Sequence, residues 1–599
     1  MNDVIESFQG FLSGMHGQID PELLADAYYA RGVNVQQSKG MIRTRNPFSK
    51  VLSLQSGRFQ GAAIYRLKDE DRLVCVIGGS VYVYNLSTGS SVSFADKFNP
   101  EASCFFCQAD RYFIIQDGYV GSSHEDANWP VILHEDQLID QSDSSSSFYV
   151  SNPGRRLPKG GPMAYGHGRL FVAVNYIPTV GDGDVVAYSE NEGRTSFLAG
   201  DLIKAGTPSD VLKFTDTVYF NAGGAIKLPE ELGTITAMGF QRSINQSAIG
   251  SGPLIVFAEH GASAFGINAP RTNWGALDFS QVLFSTGGTQ SPWSLEPVNS
   301  DLFFRGADGI RTLRFTATAS ASSSGLLSND PISDEVREFT DLDGACLREL
   351  SLAFSSNRAL TTTNPETAET GETVFRGLVS LDTSPASALG KASSALYDGV
   401  WTGYQFAQVL SGSPVGSGIL YAVVKDGSDN VLLRLADSPG QDYPETDIQS
   451  RLYLRAFPFQ SAFIRKRFKH LDLWLSDLVG DVSLRAYLNG DSGYWVPVTD
   501  ETAFTISEGS GSLGPVRLGS SVYDNVCSPT TRRPLNTGCL LQFCLAWSGI
   551  LRLTRGKLVA VPLTDDDRTD TGVLDGQSLD GSVPDNAVDL DDFDYEVSL

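Results

Sequence analysis

Leu73-Val74-Cys75-Val76-Ile77, Gly78-Gly79-Ser80, Val81-Tyr82-Val83-Tyr84 is the stretch whose reading decides the fold. Two short runs of β-branched and aromatic residues flank a glycine pair, which is the pattern of an antiparallel hairpin. The same plan recurs at residues 254–265 around Glu259-His260-Gly261, at 302–315 around Ala307-Asp308-Gly309, and at 420–435 around the Asp426 to Asn430 turn. Residues 112–115, 170–174 with 184–188, and 352–354 with 373–379 fit it as well. An all-β chain of many hairpins predicts a β-propeller, because radial repetition of small sheets leaves few exposed edges.

The copies start at 73, 112, 170, 254, 302, 352 and 420, a spacing too uneven for a WD40 or kelch array. About six blades are expected, or seven, with long inter-blade loops at 142–147, 317–325 and 384–394, where Ser, Ala, Gly and Asp accumulate. Upstream, residues 1–50 read as a short N-terminal lead-in segment. Asp20 as N-cap and Pro21 at the first helical position predict a helix over 21–30. Downstream of the propeller (51–444), residues 452–457, 467–475, 482–488, 540–545 and 557–563 alternate strongly, and predict one added β-sandwich domain over 445–563.

Residues 564–599 are a different material. Eleven Asp, Glu596 and a single basic residue, Arg568, fall between 565 and 599. That composition cannot fill a core and predicts a disordered tail unless a partner orders it. Phe593, Tyr595 and Val597 are its candidate anchors. The whole chain of 599 residues carries a formal charge of −25. Such a balance argues against gripping nucleic-acid phosphates, but suits a surface past which a polyanion slides. No apolar run reaches the roughly 20 residues of a membrane-spanning helix. Met1 to Glu6 has neither a basic start nor an apolar signal core, so synthesis in a cytoplasm without standard export is expected.

Candidate chemistry is sparse. Cys104-Phe105-Phe106-Cys107 is a CxxC among seven cysteines. On a strand, residues three apart face opposite ways, so these two thiolates cannot share a metal, and buried free thiols are expected. Leu389-Gly390-Lys391-Ala392 falls short of a phosphate-binding loop, with Pro385 in place of the first glycine. The six histidines (16, 124, 134, 167, 260, 470) are not paired at ligand spacing. Ile464-Arg465-Lys466-Arg467-Phe468-Lys469-His470 is a basic cluster whose alternation sets Arg465, Arg467 and Lys469 against Lys466, Phe468 and His470. A solvated or subunit-facing strand is the expected reading.

Ser189-Glu190-Asn191-Glu192-Gly193-Arg194-Thr195 resembles the Asp-box turn of sialidase blades, with Asn191 for the Asp and Ser196 where the aromatic belongs. The box is a folding element, and it is the one pointer to an alternative function, a sialidase-like propeller glycosidase acting on cell-surface glycans. Catalytic, cofactor and metal residues are all expected to be absent.

A broader resemblance rests on residues spread over 10–563. Gly14, Ala27, Ala30, Asn34-Val35, Gly40 and Arg43/Arg45, then Gly168-Arg169-Leu170-Phe171-Val172 with Tyr188-Ser189, then Tyr397-Asp398-Gly399-Val400-Trp401, then 465–474 and 550–563 resemble the propeller-type tail nozzle, or tail hub, of short-tailed bacteriophages. Asn46-Pro47 departs from the Pro-Gly that often follows the arginine there. The resemblance implies a non-enzymatic virion protein made in the host bacterium. It implies a cyclic homo-oligomer, a hexamer, below an adaptor ring and portal. The ring would enclose the DNA exit channel without binding DNA specifically, and carry or contact tail fibres.

Overall fold

A computed structural model describes residues 3–140 (except 69), 157–180, 186–190, 194–202, 212–213, 226–241, 252–267, 280–298, 301–314, 316–317, 331–344, 346–355, 357–383, 396–412, 419–490, 495–498, 504–506, 516–518 and 537–563. The loops expected at 142–147 and 384–394, most of the one at 317–325, the phosphate-loop near miss, Asn191 to Gly193 of the Asp-box stretch and the acidic tail lie outside these residues.

The opening hairpin forms as read. Asp71–Ile77 pairs with Ser80–Asn85, Val76 opposite Val81 and Cys75 opposite Tyr82. Its two-residue loop places Gly78 at φ 56° and Gly79 at φ 81°, both left-handed, as a tight hairpin between right-twisted strands requires. A Cβ on Gly79 would also sit 2.5 Å from the Phe98 carbonyl oxygen. Phe59–Arg66 and Ser91–Phe94 complete a four-stranded sheet.

Four more sheets follow in chain order. The second runs Phe105–Ala109 to Gln137–Asp140, the third Gly160–Gly166 to Ile226–Lys227, the fourth Ile235–Phe240 to Ser280–Phe284, and the fifth Glu296–Val298 to Gly309–Thr312. The sixth is the meander Leu352–Ser355, Arg358–Thr367, Thr373–Asp382, Leu396–Ser411, Leu420–Asp426 and Asp429–Leu435. Its long strand Leu396–Ser411 ladders mainly through its first half to Thr373–Asp382 and through its second half to Leu420–Asp426, so the sheet bends into two leaves.

Stacking explains the continuous apolar runs. Tyr112 and Ile114 enter the core shared with the third sheet, while Phe113 and Ile115 enter the core shared with the first. A strand covered on both faces has no polar side to alternate. Apolar cores lie between successive leaves all the way round: first with second, second with third, third with fourth, fourth with fifth, fifth with the first leaf of the sixth, between its two leaves, and from the last leaf back to the first sheet. The circle is closed. The chain is an all-β propeller, with about six blades as sheets are counted and seven leaves once the bend is included.

Phe48–Ser53 pairs antiparallel with Asp429–Leu435, so the last leaf combines strands from the two ends of the propeller stretch. Two hairpin expectations need correction. Residues 170–174 pair with Gly160–Gly166 and Ser196–Leu202, whereas Val186–Glu190 pairs with Tyr176–Val180. Between 352–355 and 373–382 stands Arg358–Thr367, whose Thr361-Thr362-Thr363 is fully buried despite its polarity.

The expected helix over 21–30 does not form either. Asp20 caps one turn, accepting from the Glu22 and Leu23 amides, and the chain then enters Tyr28–Tyr29, which pairs with Gly14–Met15. A ten-residue helix is marginal by itself, and burial of Leu24, Tyr29 and Ala30 decides for extended pairing.

The added β domain is built on two very long strands, Lys466–Asn489 and Leu541–Pro562, laddered from Lys466 opposite Pro562 to Asn489 opposite Gln542 with several register shifts. Gln449–Phe457 and Val4–Gln9 flank Leu541–Pro562, and Met41–Thr44 bridges to it at Leu553 and Arg552. Phe8, Phe457, Phe468, Leu471, Leu484, Phe543 and Leu558 share its core.

Candidate functional site

The strands of the lead-in segment are shared between domains. Arg31–Val33 pairs with Gln449–Phe457 of the long-strand domain and, at Val33, runs parallel to Val400 of the bent propeller strand. The two backbones touch where side chains are missing. A Cβ on Gly32 would lie 2.3 Å from the Asp398 carbonyl oxygen, and one on Gly399 would lie 2.0 Å from the Gly32 oxygen. The crossing therefore requires glycine on both strands, and Gly399 has φ 118° besides.

A polar cluster is sealed around this crossing. Arg45 is 1% exposed and makes a two-pronged ion pair with Asp442, Nη1 to Oδ1 at 2.9 Å and Nη2 to Oδ2 at 2.5 Å. Its Nε donates to Asn34 Oδ1 at 2.9 Å, and the same oxygen accepts from the Thr402 amide at 2.7 Å. Asn34, at φ 54°, donates through Nδ2 to Thr402 Oγ1 and to the Gln449 carbonyl. Asp442 further accepts from the Phe48 amide, fixing the start of the closing strand.

Beside it, Asp398 accepts from the Gln37 amide and the Ser380 hydroxyl and pairs with Arg358. Burial pushes the Arg358 guanidinium down to about 10, against the pull of Asp382. Trp401 Nε1 donates to the Val35 carbonyl at 2.9 Å, and Trp547 Nε1 donates to Thr44 Oγ1 at 2.9 Å. A buried group left unpaired costs its whole desolvation, so this network admits one register between the three parts.

The seam joins stretches that the sequence comparison had quoted separately. Asn34 and Val35 meet Val400 and Trp401, and Arg45 meets the next residue, Thr402, across more than 350 residues. Asp442 carries no motif, and the sequence offered no signal for it.

A cavity of about 220 Å³ is lined from all six propeller sheets, by Ala62, Phe106, Met163, Met238, Glu296 and Val409 among others, and by Trp293 on a short turn of helix. Gly61 makes room for Trp293, since a Cβ there would sit 2.7 Å from the indole, whose Nε1 donates to the Cys104 carbonyl. Gln408, on the cavity wall, is held by the Ala62 amide and carbonyl.

Cys104 and Cys107 are buried free thiols facing different inter-leaf cores, as the strand alternation required. Burial pushes Cys107 up to about 12 and Cys104 well above its ordinary value. Such thiols are unreactive. Of the Asp-box stretch, Arg194 is described: it donates to Asn175 Oδ1 and the Gly118 carbonyl and lies over Phe105. Of the basic cluster, Phe468 and Lys466 point inward, and Lys466 Nζ donates to the Cys539 carbonyl at 2.8 Å. Arg467 and Lys469 lie outward, but His470 departs from the expected alternation: a register shift between Phe468 and His470 turns it to the Arg467 side. Among the described residues, no group of three or more His, Cys, Asp or Glu is placed to hold a metal ion. No described helix is long and apolar enough to cross a membrane.

Comparison with known proteins returns no matching family model and no matching curated protein. Among solved structures, the chain is similar to the β-propeller domain of Cps50 (Swd1) from Myceliophteria thermophila, at 13% identity and TM-score 0.33, covering 65% of this chain and 99% of that one. A chain of the mitotic checkpoint complex gives 10% identity and TM-score 0.36, over 65% and 96% of the two chains. The extracellular domain of the hybrid two-component system BT4673 from B. thetaiotaomicron gives 11% and 0.34, over 77% and 46%.

Proposed function

We propose that this chain is a structural virion protein, a tail nozzle subunit of a short-tailed bacteriophage, standing in a cyclic ring that bounds the DNA exit channel and performing no reaction. The observation that carries the reading is the seam. One N-terminal segment closes the propeller, crosses it at Gly32 and Gly399, and adds strands to the long-strand domain, with Arg45 and Asp442 sealed between. That arrangement ties two domains into a stiff body at the cost of burying charge, which a subunit under force needs and a freely hinged binding module does not.

A further observation supports it. The excess of acidic residues suits a lumen past which DNA moves without the counterion release that holds it to basic surfaces. In that setting the partners are further copies of this chain, an adaptor ring below the portal, tail fibres, and DNA in transit.

Electron microscopy of the purified chain, and of the virions produced alongside it, tests the reading. Rings of about six copies at micromolar concentration, and the chain among virion proteins, are expected. A monomer at every concentration that is also missing from virions would end the proposal.

A further inference from the structure

The long-strand domain presents a basic face in a chain that is otherwise acidic. Opposite positions on its ladders are Arg467 with Val561, His470 with Val559, Asp472 with Lys557, Trp474 with Arg555, and Asp472 with Arg517. Strand alternation, reset by the register shift after Phe468, puts these side chains on one face, since Phe468, Leu471, Leu473, Leu558 and Ala560 fill the core on the other. Lys469 stands at the register shift beside them. Five cations thus share a surface with two described acids, Asp3 on Lys469 (2.6 Å) and Asp472 on Arg517 (2.7 Å). The surroundings register in His470, held below its ordinary value by burial and then by Arg517, with Lys557 and Lys469 adding to it against Asp472. An apolar tip closes one end of the face: Phe463 is 88% exposed, followed by the exposed Ile464.

The chain itself supplies a complement. The strand carrying Lys557 and Arg555 ends at Pro562, and the Leu563 amide donates to the Arg465 carbonyl at 2.8 Å, so residues 564–599 start at the edge of this face. They contain eleven Asp and Glu596 against Arg568, with Phe593 and Tyr595 among the last acids. At up to about 3.3 Å per residue, a stretch of that length has ample reach for the roughly 20 Å from Val561 to Arg555. Tethering also gives an effective concentration in the millimolar range.

We infer that the acidic C-terminal residues of this chain dock on its own basic face, covering Arg467, Arg517, Arg555 and Lys557 and seating an aromatic side chain against Phe463. The consequence is a screen: this positive surface is kept from other polyanions, duplex DNA included. The inference does not depend on the nozzle reading.

Zero-length carbodiimide coupling of the full chain, read by mass spectrometry, tests it. Amide links from carboxylates of 565–599 to Lys557 or Lys469 are expected, falling about tenfold in high salt and in the full-length variant D591N/D592N/D594N/E596Q. That variant should also bind a labelled short DNA duplex about tenfold more tightly than the parent, a gain removed by adding R467Q/R517Q/K557Q. Tail links directed to other lysines, or no links together with equal duplex binding by parent and variant, would overturn the inference. Mixing isotopically heavy and light chains reads the same links again: links solely between heavy and light chains would overturn own-tail docking in favour of a second copy.

Discussion

The cores between leaves and the seam at Gly32 and Asp398 hold the same molecule together by opposite means. Between leaves the contacts are apolar, mostly between neighbouring stretches of chain, and redundant, as where Val74, Val76 and Val81 share a core with Phe113, Ile115 and Leu133. At the seam they are charged, hundreds of residues apart and individually irreplaceable, as where Arg45 meets Asp442. Apolar packing is non-directional and tolerates exchange of similar volumes. A buried ion pair has one geometry, and removing one member strands the other. The contrast teaches that the ring is made by many forgiving contacts, while its attachment to the second domain is made by a few exacting ones.

The sharpest way to break that contrast is at the backbone crossing. Gly32→Val should cost more than about 4 kcal/mol, or leave no folded chain, because a Cβ meets the Asp398 oxygen at 2.3 Å and Val35 Cγ2 at 2.6 Å. Thermal melting of the soluble fraction measures it, and a loss under about 1 kcal/mol would remove the crossing from the argument. Asp442→Ala comes next, at about 3–5 kcal/mol by denaturant titration, since Arg45 keeps its charge without a partner. The double variant R45M/D442L should regain most of that loss; failure to do so would mean that packing, not stranded charge, sets the cost.

A milder test uses the buried pair of Glu372 and Lys425, at 2.5 Å inside the ring. Burial pushes Glu372 up, but the hydrogen bonds from Lys425 and its neighbours outweigh it, and the carboxyl sits below its ordinary 4.5. A depressed carboxyl stabilises the fold above its unfolded value and stops doing so as pH falls through the folded one. Glu372→Gln should therefore cost about 2 kcal/mol at neutral pH, with parent and variant melting points converging below pH 4.5. A gap that persists in acid would count against the ion pair. Inside a leaf core, Ile114→Val should cost only about 1 kcal/mol; a value matching Asp442→Ala would erase the distinction. At the surface, Lys469→Gln should cost under about 1 kcal/mol and lose even that in salt, because its partner Asp3 is solvated.

The sequence was readable where structure is local. Gly78-Gly79 announces its hairpin because two left-handed residues in a row admit little else. The Cys104 and Cys107 thiols could be assigned to opposite cores from strand periodicity alone. Reading failed where polar residues were buried or partners distant. Arg358–Thr367 was missed because its threonines look solvated, although the Thr362 hydroxyl accepts from the Ser351 amide and that of Thr363 donates to the Phe339 carbonyl. The helix expected over 21–30 had correct local signals, which lost to pairing with Gly14–Met15.

Seen from the chain alone, the hairpins with glycine-rich turns and the uneven propeller were legible, because turn chemistry and hydrophobic periodicity act over a few residues and depend on nothing farther away. The tertiary structure alone decided the bend of Leu396–Ser411 into two leaves, the threading of the first 50 residues between domains, and the pairing of Arg45 with Asp442. Those outcomes turn on which distant polar groups can satisfy one another out of water, and no local pattern encodes that choice.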